Sequence, residues 1–245
     1  MNDPYFFEES HVLRNLLDIH DEKALDIAEA ELSRANMMLL YEQGFDDFST
    51  AGICAIHKAL FGDIYDWAGT FRVINVQKRE TILAGKSVWY SNDEDIGRDL
   101  EAAWNRIHHI SWDEISREDF AAQVARTFPA LWQAHPFREG NTRTIVMLMT
   151  FFVEHHGYYF DQELLAESAG YVRNAFVLAS LGEHSEYEHL EKILKDAICT
   201  EPILYLDNLA DDLSDSRAEK YQRYQTKDYR PEAHEYREEG PKLEL

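Results

Sequence analysis

The segment His135-Pro-Phe-Arg-Glu-Gly-Asn-Thr-Arg143 gathers a base, an acid and an arginine around a glycine turn. That set suits phosphoryl-type chemistry on a nucleotide. The turn opens an apolar stretch that reads as a helix, and the free N–H groups at a helix start make an anion site. Gly140 lets the backbone approach a phosphate closely, and Arg143, within the first turn, can clamp a phosphate oxygen. Glu139 beside that nest repels a bare phosphate but can hold a Mg²⁺ ion bridging two of them. His135 stands beyond Pro136 and Phe137, and a near-neutral imidazole suits removal of a proton from an incoming hydroxyl. Phe137 reads as a core plug that fixes the loop. A solitary His-Pro-Phe is commonplace, whereas His, Glu, Gly-Asn and Arg at these spacings before a buried helix are not.

The elements that must position this loop are helical. Thr144 to Glu154 is strongly apolar and predicts a buried central helix ended by Gly157. From Asp21 to Gln43, Leu25, Ala28, Leu32, Ala35 and Leu39 recur at three- and four-residue steps, with Gly44 as a stop. Ser49 can cap a second helix whose inner face carries Ile53, Ile56 and Leu60. After Gly69, Phe71-Arg-Val-Ile-Asn-Val76 predicts an extended stretch, and residues Gln77 to Trp89 a polar turn and a returning strand. Asn92 ahead of three acidic residues starts another helix, and Ser116 with Asp119 forms a capping box for the next, which Pro129 should bend. Helical patterns return at Gln162–Ala166, Tyr171–Ser180, Tyr187–Ile198 and Tyr205–Gln222, and Gln225–Leu245 reads as a charged surface tail. The expected fold is all-α with one short β-hairpin.

The motif resembles the His-x-Phe-x-Asp/Glu-Gly-Asn-Gly-Arg-x-x-Arg signature of the Fic (filamentation induced by cAMP) family. The segment Ile56-His-Lys-Ala-Leu-Phe-Gly-Asp-Ile-Tyr-Asp-Trp-Ala-Gly-Thr-Phe-Arg72 is similar to that family's lead into a β-hairpin flap, and the likeness runs over roughly Leu25 to Ile198. The resemblance implies a Fic-fold helical bundle over 21–200, between an N-terminal extension (1–20) and a C-terminal helix with charged tail (201–245). It implies adenylylation, with ATP as co-substrate and Mg²⁺ as cofactor. His135 would then deprotonate a Ser, Thr or Tyr of a target protein, and Glu139 would hold the metal. Gly140, Asn141 and Thr142 would line the anion hole, and Arg143 would hold the leaving pyrophosphate. The flap, Lys78, Arg79, Thr81, Ile82 and Leu83, would pin the target by strand addition, with Ile82 as clamp. Self-modification and an antitoxin in trans are further partners that the resemblance allows.

Two residues depart from the signature. Thr142 replaces a glycine; its hydroxyl can cap the helix or touch a phosphate, and its methyl can crowd the anion hole. Val146 replaces the second arginine, which in the family holds the γ-phosphate and is seized by an inhibitory glutamate. Losing such a charge-assisted contact costs on the order of 1.5–3 kcal/mol. A different phosphate-containing donor, the reverse hydrolytic direction, and a degenerate module that only binds a partner therefore stand beside adenylyl transfer. The inhibitory pattern Ser/Thr-x-x-x-Glu occurs as Thr150 to Glu154, inside the apolar helix, where it reads as core spacing; Glu235 to Gly240 lacks the hydroxyl.

Composition narrows the field. A net charge of −22 argues against nucleic acid and anionic membranes as partners, since both reward Lys and Arg. Two separated cysteines make no disulfide framework, the start has no signal-peptide pattern, and no long apolar run occurs, so a cytoplasmic location is expected. Delivery into another cell is compatible with the family. His108-His109 and His155-His156 lack zinc-site spacing, and Trp67, Trp104 and Trp132 read as core.

Overall fold

Side-chain caps start the first helices where the sequence places them. A computed structural model describes residues 3–8, 10–202 and 219–224. The Asp21 carboxylate accepts the Ala24 N–H (2.9 Å) and opens α1 (Glu22–Gln43), which Gly44 ends at φ +73°. The Ser49 hydroxyl accepts the Gly52 N–H at the head of α2 (Thr50–Phe61). A single 3-10 turn, Asp93–Asp95, separates Asn92 from α3 (Ile96–His108). Ser116 caps α4 (Arg117–Ala134), which runs on through the buried Pro129.

The central helix α5 (Asn141–His155) buries every side chain from Met147 to Val153. Each fully buried Leu or Phe there contributes roughly 2 kcal/mol of transfer free energy. Around it α4 packs against α3 and α5, and α2 bridges α1 and α5. Three shorter helices follow, α6 (Gln162–Glu167), α7 (Ala169–Leu178) and α8 (Glu188–Ala197), with α8 lying on α4. Among the described residues no helix is long and apolar enough to cross a membrane.

The sheet lies away from the expected hairpin. Among the described residues it consists of β1 (Tyr159–Phe160) antiparallel to β2 (Ile198–Cys199), with Tyr159 opposite Cys199. Residues 71–90 do run out and return, but without a strand ladder. Their turn is closed by the Glu80 N–H on the Lys86 carbonyl (2.9 Å) around a 3-10 turn at Thr81–Leu83. The reason lies at the base of the excursion. Arg72, 2% exposed, donates to the carbonyls of Ile74 (2.7 Å) and Ser91, one on each arm, and through Nε to His135 O (2.8 Å). A side chain has taken carbonyls that a ladder would otherwise use.

α1 presents a different face from the one its periodicity suggests. Leu25, Glu29, Ser33 and Leu40 turn inward, while Ala35 and Leu39 are exposed. Polar Glu29 and Ser33 are tolerable inside because partners meet them there. The N-terminal stretch touches the body: Tyr5 meets Trp67 edge-on, and Asp3 pairs with Arg138 (2.8 Å). Of the Tyr205–Gln222 pattern, residues 219–222 are described and helical; the rest, with Gln225–Leu245 and the Glu235–Gly240 segment, lies outside the described residues.

Arg72→Met leaves three carbonyls without the donor that a buried side chain gives them. The expected loss is on the order of 3–5 kcal/mol in denaturant unfolding. Arg72→Lys, able to reach few of those acceptors at once, should recover only a minor part of it.

Candidate active site

His135 closes α4 in the left-handed region (φ +46°, ψ +57°), so the chain reverses into the motif loop at that residue. Such dihedrals are uncommon outside glycine and asparagine and need support from the surroundings. Arg72 supplies it, with Nε on the His135 carbonyl and its own N–H on Pro136 O (2.8 Å). At the far end of the loop His57, fully buried in α2, meets the Glu139 carbonyl through Nε2 (3.0 Å). Its Nδ1 accepts the Gly69 N–H (2.8 Å), which fixes the neutral tautomer with the proton on Nε2. The ring stacks on Phe137 at 3.7 Å, and Phe137 is wholly buried, the plug its position predicts. Asn141 staples the loop from within: its Oδ1 accepts the Phe137 N–H (2.9 Å) and its Nδ2 donates to Phe137 O (2.8 Å). Gly140 (φ +81°) could carry no side chain, since a Cβ would stand 2.4 Å from the Phe61 ring.

A pocket of about 200 Å³ opens over this loop, lined by Lys78, His135, Glu139, Gly140, Asn141, Thr142, Arg143 and Arg173. His135 is 2% exposed, and among the described residues neither ring nitrogen has a hydrogen-bond partner. Tyr90 stacks on one face of the ring (4.0 Å) and Trp132 meets it edge-on. Burial, helped by the charges of Lys78 and Arg72, holds its pKa well below the ordinary histidine value. The ring is therefore neutral and without a hydrogen-bond partner among the described residues, in a residue that lines the pocket.

Glu139 opens to the pocket with about a third of its side chain exposed (34%). One oxygen accepts the Gly140 N–H (3.0 Å), the other pairs with Lys78 Nζ (3.0 Å). Burial alone would raise its carboxyl, but Lys78, the Gly140 N–H and Arg143 outweigh that and keep it below the usual range. Arg143 leans over the Phe61 ring, donates to Ser33 Oγ (2.8 Å) and pairs with Glu29, whose second oxygen takes the Tyr65 hydroxyl. The Thr142 hydroxyl accepts the Trp132 indole N–H (2.9 Å), so its own proton must point elsewhere.

The five flap residues divide. Lys78 reaches into the site, Arg79 and Thr81 are exposed, and Ile82 and Leu83 pack partly against the core. Val146 is partly buried against the core and offers the pocket no charge. Glu80 is buried behind Arg173, bound to both terminal nitrogens of its guanidinium and to the Tyr90 hydroxyl (3.3 Å). His57 and Arg72 lie in the family-like segment 56–72, which assigns neither a role; Glu29 is signalled only by its place four residues after Leu25, and Glu80 by nothing.

Residues 47–153 match the Fic/DOC family. A relative named "Probable protein adenylyltransferase y4lH", from Sinorhizobium fredii, is 31% identical over 67% of this chain and 82% of its own length. The chain belongs to the Fic/DOC family. Other members are similar over less of their length: the protein adenylyltransferase VbhT of Bartonella schoenbuchensis is 29% identical over 65% of this chain, but only 32% of VbhT is spanned. Among solved structures, the ADP-bound N-terminal Fic domain of a VirB-translocated Bep effector from Bartonella quintana superposes with a TM-score of 0.67. It is 25% identical and covers 79% of this chain and 94% of that one. Within this Fic/DOC chain the matched residues 47–153 include the motif loop and nearly all of α5.

Buried, neutral His57 gives a pH signature. Burial lowers its pKa from 6.5 to about 3, so the unfolded chain binds the extra proton first. Stability is fully present above pH 6.5 and falls as pH drops toward 3, by about 2 kcal/mol at pH 5 from this group alone. Urea unfolding of His57→Gln should start from a less stable protein and show a shallower loss between pH 6.5 and 5.

Proposed function

We propose that this chain is a protein adenylyltransferase, moving AMP from ATP to a hydroxyl of a target protein. The observation that carries the reading is His135: a buried, neutral imidazole with no partner on either nitrogen among the described residues, lining a pocket with the N-terminus of α5. His135 accepts the proton of the target hydroxyl as that oxygen bonds to the α-phosphorus. The bond from phosphorus to the pyrophosphate oxygen breaks, and pyrophosphate leaves with the charge. The Gly140–Arg143 turn faces that developing charge with backbone N–H groups and the positive helix end. Incoming phosphates also offset Lys78 and Arg72, which raises the basicity of His135 as the substrate binds.

The donor set fits Mg²⁺. Glu139 is a single hard carboxylate whose pocket oxygen already holds a cation, the Lys78 ammonium, and one carboxylate plus phosphates is the usual Mg²⁺ environment. Lys78, Arg143 and Arg173 are balanced by Glu139, Glu29 and Glu80, so the lined pocket has no surplus positive charge for a triphosphate. A bound Mg²⁺ would neutralise phosphate charge at the leaving group. The flap is the surface for the target, with Val73 and Trp89 exposed beside it at 64% and 52%.

The test is label transfer from α-labelled ATP with Mg²⁺, to a target or to the chain itself. His135→Ala should abolish labelling while leaving ATP affinity within about threefold of wild type. Labelling that survives the substitution would overturn the reading. Because the His135 pKa lies well below 6.5, the base stays neutral through that pH. The pH profile of kcat/KM for ATP, which reports the free enzyme, should therefore show no His135 inflection near 6.5 and should lose rate only at more acid pH.

A further inference from the structure

The pocket's cations differ in what they have left to give. Arg143 sits on the Phe61 ring and is bound by two α1 side chains, Glu29 and Ser33. Lys78 is spent on the carboxylate that fits the metal. Arg173, from α7, lines the same pocket with 37% of its side chain exposed, while its partner Glu80 is 3% exposed. Glu80 takes one N–H from each terminal nitrogen, so three of the five guanidinium donors remain. The fork is also immobilised, because Glu80 is itself held by the Tyr90 hydroxyl and Tyr90 is stacked on His135. A planar, pre-oriented guanidinium with free N–H groups beside a helix N-terminus is built to receive phosphate oxygens.

We propose that Arg173 is a phosphate-binding residue. It grips the phosphates distal to the transferred one, supplying from α7 the guanidinium N–H donors that Val146 does not supply from α5. Glu80 positions it. A cation there meets the pyrophosphate as its charge grows, which favours the transition state over bound ATP. The inference rests on the adenylyltransferase reading of the same site.

The experiment measures Mg²⁺-dependent binding of AMP, ADP and ATP, together with label transfer. Arg173→Met/Glu80→Gln removes both charges and leaves no buried carboxylate unpaired. The expected result is a roughly tenfold to hundredfold loss of ATP and ADP affinity, a matching rise in KM for ATP, and AMP binding within about twofold of wild type. Adding Val146→Arg should return part of the ATP affinity. Arg173→Lys, which keeps the charge and loses the fork, should fall between wild type and the double variant, and it decides the matter if the double variant fails to fold. Unchanged ATP affinity and KM, or equal losses for AMP and ATP, would overturn this inference while wild-type labelling upholds adenylyl transfer. A wild type that neither binds nucleotide nor transfers label would overturn both.

Discussion

A loop that turns inside a hydrophobic core must find a partner for every backbone group it carries, and the motif loop depends on how this is done. Its first carbonyl, on His135, is taken by Arg72, and that of Glu139 by His57. Between them Asn141 closes on Phe137 from both sides. A buried carbonyl without a donor costs about 1–3 kcal/mol, so the loop can adopt its left-handed start only with these groups behind it. The supports come from distant parts of the chain. α2 brings His57, and the base of the flap brings Arg72, so the geometry of the motif loop is set by elements packed from distant parts of the chain.

Charge in the site follows the same logic. Each cation lining the pocket has a carboxylate partner, and two of those partners, Glu29 and Glu80, are themselves buried. Such pairs gain little net stability against their desolvation, but they fix direction. Lys78 on Glu139 is the exception in kind, because both groups keep some exposure and neither is walled in. That pair can exchange partners when phosphate and a divalent cation enter, whereas the Arg143–Glu29 pair is held by Phe61, Ser33 and Tyr65 around it.

The motif and most helix starts were legible because their causes are local. A cap needs one hydroxyl or carboxylate at one position, as Asp21, Ser49 and Ser116 show. The inward face of α1 was not, since Leu39 and Ala35 fit the apolar period as well as Leu25 does. What turned the helix was Arg143 and Tyr65 waiting for Glu29, more than a hundred residues away in the first case. The flap failed as a hairpin for a related reason. A β-branched run such as Val73-Ile-Asn-Val76 reports fitness for a pleated surface, and that preference yields when carbonyls on both arms are claimed by one arginine. The β1–β2 pair, two residues on each side, is too short and too distant in sequence to leave a pattern.

Glu80 joins the two halves of the chemistry. It sits at the turn of the flap, where its own backbone N–H closes the excursion on Lys86, and its side chain is shared between Arg173 and Tyr90. One face of that assembly is the pocket wall; the other is the stack that packs His135. Two residues earlier, Lys78 ties the same turn to Glu139. The flap is therefore pinned to the nucleotide side of the site at two points before any target arrives. Moving the flap would disturb the base through Tyr90 and the acid through Lys78 together. The flap, His135 and Glu139 are thus linked through side-chain bonds, Glu80 on the Arg173 and Tyr90 side and Lys78 on the Glu139 side, and not through a strand ladder.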